Sequence, residues 1–207
     1  MIMTPLHGSD IRVYDKDCCI SFRKTNELYG GLSNMAPGFP ITINQHVFLT
    51  SEALYQCCRF PNHPDIQTEI MKQRSPMTAK DISRKNIHFT RDNWNRDRVK
   101  IMRWCIYSKL ICNWYSFGEL LDSTNSNNIV EDSYKDDFWG ARLNGDQYIG
   151  VNALGRLLMQ TRETYRKIKG KTIIVLSPPN IPNFCLLGEK IDRITVNVTN
   201  QPYPCKM

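Results

Sequence analysis

Apolar and polar positions along the chain predict a run of short elements. Residues 11–22 are β-compatible, carried by Ile11, Val13, the cysteines and Ile20. A loop rich in Gly and Asn follows over 25–40, and 41–49 predicts a second strand or hairpin arm. Thr50 or Ser51 can cap a short helix that ends at Phe60, just before Pro61, which puts Glu52 in its first turn. Residues 64–74 and 76–85 predict two more short helices, the second capped by Ser75 with Pro76 as its first residue. The longest helix is predicted over 92–112, where Val99, Met102, Ile106 and Leu110 recur at helical spacing. Ser116-Phe117-Gly118-Glu119 has the form of a capping box for another. Residues 128–131 predict a short strand that feeds a loop through Trp139. Asn152 is then expected to cap a helix to about 169, with Leu154, Leu157, Leu158, Thr161 and Tyr165 on its inner face. Strands are expected over 172–176 and 194–198, and Pro178, Pro179 and Pro182 mark an irregular connector between them. The pattern specifies a helix-rich α+β fold with a few short strands. No repeat, low-complexity tract or Gly/Ser linker divides it, so residues 1–170 are expected to form one domain, with 171–207 as an extension packed on it.

A chain of 207 residues that is 41% hydrophobic can bury a sizeable core. No apolar run approaches the roughly 20 residues needed to cross a bilayer, and the first eight residues lack the regions of a secretion signal. A soluble cytoplasmic protein with no membrane partner is expected. Cys18-Cys19 and Cys57-Cys58 are adjacent pairs and no Cys-x-x-Cys occurs, so the eight cysteines are read as reduced, mostly buried thiols. His7, His46, His63 and His88 have no ligand spacing, and no metal is expected.

Charge is unevenly laid out. Residues 61–110 carry 11 Lys and Arg against 5 Asp and Glu, whereas 111–160 carry 3 against 7. Either the basic stretch attracts a polyanion while carboxylates attend the chemistry, or it is a solvated helix surface. Lys109 follows Met102 by seven and Cys105 by four, so it shares a helix face with apolar residues. Its amine either snorkels or pairs at the edge, or is held in a pocket where desolvation lowers its pKa and leaves a nucleophile. Glu52 is either an ordinary first-turn glutamate or a carboxylate able to stabilise positive charge or take a proton from water. Downstream, Asp137-Phe138-Trp139-Gly140 supplies an acid and a stacking plate, and Gly150–Met159 builds a tight entry into a helix.

These segments occur in one order with others: Gly31-Leu32-Ser33-Asn34, Thr50-Ser51-Glu52-Ala53-Leu54-Tyr55-Gln56, Arg59-Phe60, Trp94, Lys109 and Glu131. Over roughly Phe22 to Arg166 the ordered set resembles the NADAR family, the YbiA-like proteins. That resemblance implies a YbiA-like fold and an N-glycosidase acting on ribosyl groups attached to nitrogen. ADP-ribosylated guanine and early riboflavin-pathway intermediates are the implied substrate classes. Glu52, within a match to the family's Ser-Glu-His-x-x-Gln pattern, Lys109 and Asp137 are the implied catalytic residues. Ala53 departs from that pattern, which puts substrate specificity in question. The diphosphate of an ADP-ribosyl group would need donors, for which Arg23, Gly31, Ser33, Asn34 and the start of the Asn152 helix are candidates. Its rings would need flat partners, for which Phe22, Tyr55, Trp94 and Trp139 are candidates, at least one of them expected in the core. Ser51 and Glu131 complete the implied binding set. The expected substrate is ADP-ribosylated nucleic acid, most naturally DNA, with ADP-ribose as product and no cofactor. A riboflavin-pathway substrate, and a non-catalytic nucleotide-binding module, are the alternatives.

Overall fold

The first strand expected from the sequence is two. The computed structural model describes residues 10–201, and within it Asp15 Oδ1 accepts from the Asp17 N–H, turning the chain after β1 (Arg12–Asp15) before β2 (Cys19–Phe22) begins. A hairpin of β3 (Ile41–Ile43) and β4 (His46–Phe48) follows, its two turn residues Asn44 and Gln45 both at positive φ. The helices α1 (Ser51–Cys57), α2 (Pro64–Met71), α3 (Pro76–Lys85) and α4 (Trp94–Cys112) come next. Thr50 caps α1 through the Ala53 N–H, and Ser75 caps α3 through the Thr78 N–H with Pro76 at the first turn, as the sequence indicates.

Helix α5 (Trp114–Asp122) begins two residues before the expected capping box, which places Ser116 inside the helix. The reason is a partner from the C-terminal chain: the Trp114 N–H donates to Gln201 Oε1 at 2.7 Å, and Gln201 Nε2 donates back to the Ile111 carbonyl at 2.6 Å. Strand β5 (Asn128–Glu131) is where the pattern puts it, but a hairpin of β6 (Arg142–Asn144) and β7 (Gln147–Gly150) then occupies chain expected to be loop. After α6 (Ala153–Ile168) come β8 (Ile173–Leu176), β9 (Cys185–Leu186), β10 (Glu189–Lys190) and β11 (Ile194–Asn197). The result is α+β and helix-rich.

By contact the chain divides into two compact units, one drawn from residues before Asn34 with Ser116–Gly170, the other from Asn34–Tyr115 with the chain after Gly170. In the first, β1, β7 and β6 form an antiparallel sheet, and β2 pairs in parallel with β5 so that Phe22 lies opposite Glu131. Tyr14, Val130, Ala141 and Tyr148 are buried together, and α6 packs on β5. A Cβ at Gly118 of α5 would lie 2.4 Å from the Tyr165 ring of α6, so only glycine permits that approach.

In the second unit α1, α2 and α3 pack on one another and α1 packs on α4. Helix α4 buries most of its circumference, including Ile101, Met102, Cys105, Ile106 and Leu110, because it also carries the β8–β11 ribbon. Residues between 171 and 201 therefore contribute to this unit's core, Ile174, Phe184 and Leu186 among them. Gln67 of α2, 0% exposed, donates to the carbonyls of Cys57 and Cys185 and accepts from the Leu187 N–H.

Candidate active site

In the second unit the start of α1 brings polar atoms to α4. Thr50 holds the first turn, which turns Ser51 and Glu52 inward. The Glu52 N–H and Ser51 Oγ both donate to the Asn34 carbonyl, at 3.0 and 3.2 Å, and the Asn34 side-chain amide donates to Met102 Sδ at 2.9 Å. Glu52 is 6% exposed, and Gln56 Nε2, one turn on, donates to its Oε1 at 2.8 Å. A carboxylate buried to this degree is costly in the resting protein and is available to answer positive charge arriving with a ligand.

Lys109 lies one turn beyond Cys105, about 6 Å along the axis. It is 1% exposed, and burial pulls its amine from the ordinary lysine value down to about 7. Its Nζ sits 4.6 Å from the centroid of the Phe39 ring. The Cys105 thiol is pushed well up, first by burial and hydrogen bonding to Cys58 and also by the charge on Glu52. Glu52 acts on Cys105 of α4, and Lys109 follows Cys105 by one turn of the same helix. Tyr55, buried, has its hydroxyl pushed well up by burial and then by Glu52. Its ring meets the half-buried Trp94 at 5.0 Å, and the Arg59 guanidinium lies 5.2 Å from the Trp94 ring. Of the four candidate aromatics, Phe22 and Tyr55 are core residues, whereas Trp94 and Trp139 are half-buried.

The first unit arranges the other candidates. Asn152 has positive φ and is 0% exposed, and its side chain does not cap α6. It ties β5 instead, Nδ2 donating to the Ile129 carbonyl at 2.8 Å and Oδ1 accepting from the Glu131 N–H at 3.2 Å. The start of α6 is not the free donor cluster expected of it either. The N–H groups of Val151, Ala153 and Leu154 donate to the carbonyls of Asp137, Phe138 and Trp139. Backbone thus saturates backbone, and what is left for a ligand is the half-buried Trp139 ring, edge-on to Phe138 at 5.2 Å.

The acids near Trp139 are also rearranged. Asp136 accepts from the Phe138 and Trp139 N–H groups at 3.1 and 2.9 Å and so shapes the turn. Asp137 has a side chain 68% exposed, with Arg142 Nη2 3.8 Å from its carboxylate. Asp132 is half-buried. Its Oδ1 has no hydrogen-bond partner among the described residues, and desolvation raises its pKa although Arg23 pulls the other way. It lines a polar cleft of about 390 Å³ with Ser21, Phe22, Arg23, Lys24 and Glu27. There Glu27 accepts from the backbone N–H groups of Arg23 and Lys24, and the Arg23 guanidinium lies 4.0 Å from the Tyr134 ring. The sequence signal for Asp132 was its place one residue past β5, facing opposite to Glu131. Gly31 and Ser33 form the turn before the second unit. A Cβ on the neighbouring Gly30 would lie 2.4 Å from the Lys24 and Thr25 carbonyls, so that turn requires glycine.

Comparison with known proteins agrees with the resemblance read from the motifs. The family model described as the NADAR domain matches residues 21–166. N-glycosidase YbiA of Shigella boydii is 31% identical over 159 residues, 77% of this chain and 96% of the relative. A riboflavin biosynthesis protein of Vibrio vulnificus is 31% identical over 154 residues, only 40% of its length. The NMR structure of Escherichia coli YbiA superposes with a TM-score of 0.64 at 30% identity, covering 81% of this chain and 96% of that one.

Proposed function

The chain belongs to the NADAR domain family, and on that premise we propose that it is an N-glycosidase that removes ADP-ribose from ADP-ribosylated guanine in nucleic acid, most naturally DNA. The observation that carries the reading is the buried amine of Lys109, 1% exposed in a unit that also buries Glu52. With a pKa of about 7, roughly half of that amine is uncharged at neutral pH, against about one part in a few thousand for an ordinary lysine.

The neutral Nζ can attack C1 of the ribose as the C–N bond to the base breaks and the base nitrogen takes a proton. Loss of the ring oxygen from C1 gives the imine of the opened sugar, and water then adds to C1 to release ADP-ribose and return the amine. Positive charge gathers at C1 at each stage, and the carboxylate of Glu52, desolvated and already placed, stabilises it and accepts a proton from the attacking water. Asp137 and Trp139 belong to the other compact unit and take no step in this path; Trp139 stays a candidate for stacking on a ring. A riboflavin-pathway ribosylamine is the second reading, favoured by the relatives named riboflavin biosynthesis proteins.

The test is to incubate the protein with ADP-ribosylated guanine DNA, free NAD and a riboflavin-pathway ribosylamine, and to follow release of base. Base from the DNA alone supports the first reading; release only from the ribosylamine transfers the assignment to the second. Borohydride added during turnover should trap a sugar adduct on the Lys109 peptide, and Lys109→Arg should abolish it because guanidinium stays protonated. Normal turnover without an adduct, retained in Lys109→Arg, would leave direct hydrolysis at Glu52.

A further inference from the structure

The solvent side of α4 carries Arg96, Lys100, Arg103 and Tyr107 in one line, at intervals of four, three and four residues. Arg96 is spent on its neighbour: its guanidinium makes two hydrogen bonds to Asp97, at 3.0 and 2.9 Å. Lys100 and Arg103 are not among the ion-paired residues described, and Arg103 Nε is buried with no acceptor among them. Beside this line runs the end of β8 with the proline connector. Together Lys100, Arg103, Trp104, Tyr107, Leu176, Ser177 and Pro179 enclose a groove of about 270 Å³ with chiefly apolar walls. Trp104 is fixed edge-on by Phe184 at 5.1 Å, and its indole N–H also has no acceptor among the described residues.

An apolar slot with flat rings, two cations at its rim and a spare N–H donor matches the parts of a nucleotide. The base takes the apolar walls and the donor, and the phosphate takes the cations. An apolar peptide would leave both cations unanswered, and a membrane surface would not enter a slot. We propose that this groove binds one nucleotide of a single-stranded polynucleotide. The proposal extends the reading above and rests on it for the groove's role, which would be to hold a strand flanking the reacting base. One wall comes from chain past the family match, which ends at residue 166.

Binding of a fluorescent, unmodified single-stranded oligonucleotide to the full chain tests it across a range of salt. Wild type should bind with log K falling linearly with log salt. The double variant Lys100→Glu, Arg103→Glu should bind at least about tenfold more weakly, with a slope shallower by about 0.7, for the one phosphate that the two cations neutralise. Lys100 is exposed and Arg103 half-buried, neither is assigned a step of the reaction, and turnover of an ADP-ribosylated mononucleoside should be unchanged. A crosslink that does not depend on the variant's fold is the second measurement: a bromouracil oligonucleotide irradiated with wild type should label the peptide containing Trp104 and Tyr107. Equal affinity and slope in the double variant, or a crosslink mapped elsewhere, overturns the groove. Binding and crosslink as expected with no turnover of any N-ribosyl substrate would keep the groove and remove the glycosidase assignment.

Discussion

Replacing Lys109 by Met should make the protein more stable at neutral pH, by an amount that disappears as the solution becomes alkaline. Burial takes the amine from the ordinary 10.5 to about 7. Between those values the unfolded chain holds a proton that the native chain has released, so native stability rises with pH across the window. Below pH 7 the native protein must carry the buried charge and bears the full penalty. At about 1.4 kcal/mol per pH unit of displacement, that penalty is about 5 kcal/mol in the limit and about 4 kcal/mol at pH 7. Loss of the amine's contacts acts in the other direction, that with the Phe39 ring being worth about 2 kcal/mol for a desolvated pair, and lowers the gap by a nearly constant amount wherever the amine is charged. Methionine fills much of the same volume without a polar atom, so little cavity cost is added. Urea unfolding of wild type and Lys109→Met at pH 6, 7, 8, 9 and 10 gives the difference directly, and taking the difference cancels every other titrating group. The gap should be largest at pH 6 and close over the alkaline range. Two parallel curves would mean that the amine titrates as an ordinary lysine, and the half-neutral nucleophile would have no physical basis.

Glu52→Gln should abolish nearly all turnover while ADP-ribose still binds, since the Gln56 amide can donate to the new carbonyl and the charge matters most in the transition state. Near-normal turnover in this variant, read by base release, would remove Glu52 from the chemistry. Trp139→Ala should weaken ADP-ribose binding by about 1–3 kcal/mol in calorimetry, because the backbone N–H and carbonyl of Trp139 stay fixed while a half-buried ring is lost; unchanged affinity would make the indole a packing residue. Asp132→Asn should raise stability more at pH 7 than at pH 3. The raised pKa means that native protein holds the proton more tightly, so wild type loses stability as pH climbs through that carboxyl. A difference independent of pH, measured by denaturant titration, would show that its carboxyl is solvated.

Elements whose signals are local were legible in the sequence. Ser75-Pro76 and Thr50 set their helix starts by hydrogen bonds within four residues, and the apolar spacing put Lys109 on a buried helix face while leaving open whether its amine reached the edge. What escaped depends on partners far along the chain. The start of α5 is fixed by Gln201, 87 residues away. Asn152 resembles a helix cap, yet its amide finds β5, because carbonyls of the preceding loop have already taken the first N–H groups of α6. The β6–β7 hairpin hides behind an exposed Arg-Leu-Asn strand that has no inward alternation. Among Asp132, Asp136 and Asp137 the sequence offers three equivalent carboxylates. Only the turn geometry separates the one that shapes the backbone from the one in the cleft and the one in solvent.

Gln67 limits how this protein can be cut and recombined. Its amide, without access to water, spends one donor and its acceptor on residues 185 and 187, which lie beyond the stretch shared with the family. A fragment ended at residue 166 would strand those groups in an apolar interior, at about 1–3 kcal/mol for each unsatisfied group. It would also bare the surface of α4 under the β8–β11 ribbon. The tail thus shares a compact unit with α1 to α4, and a graft or truncation made at the family border should cost stability that one made at the later border does not.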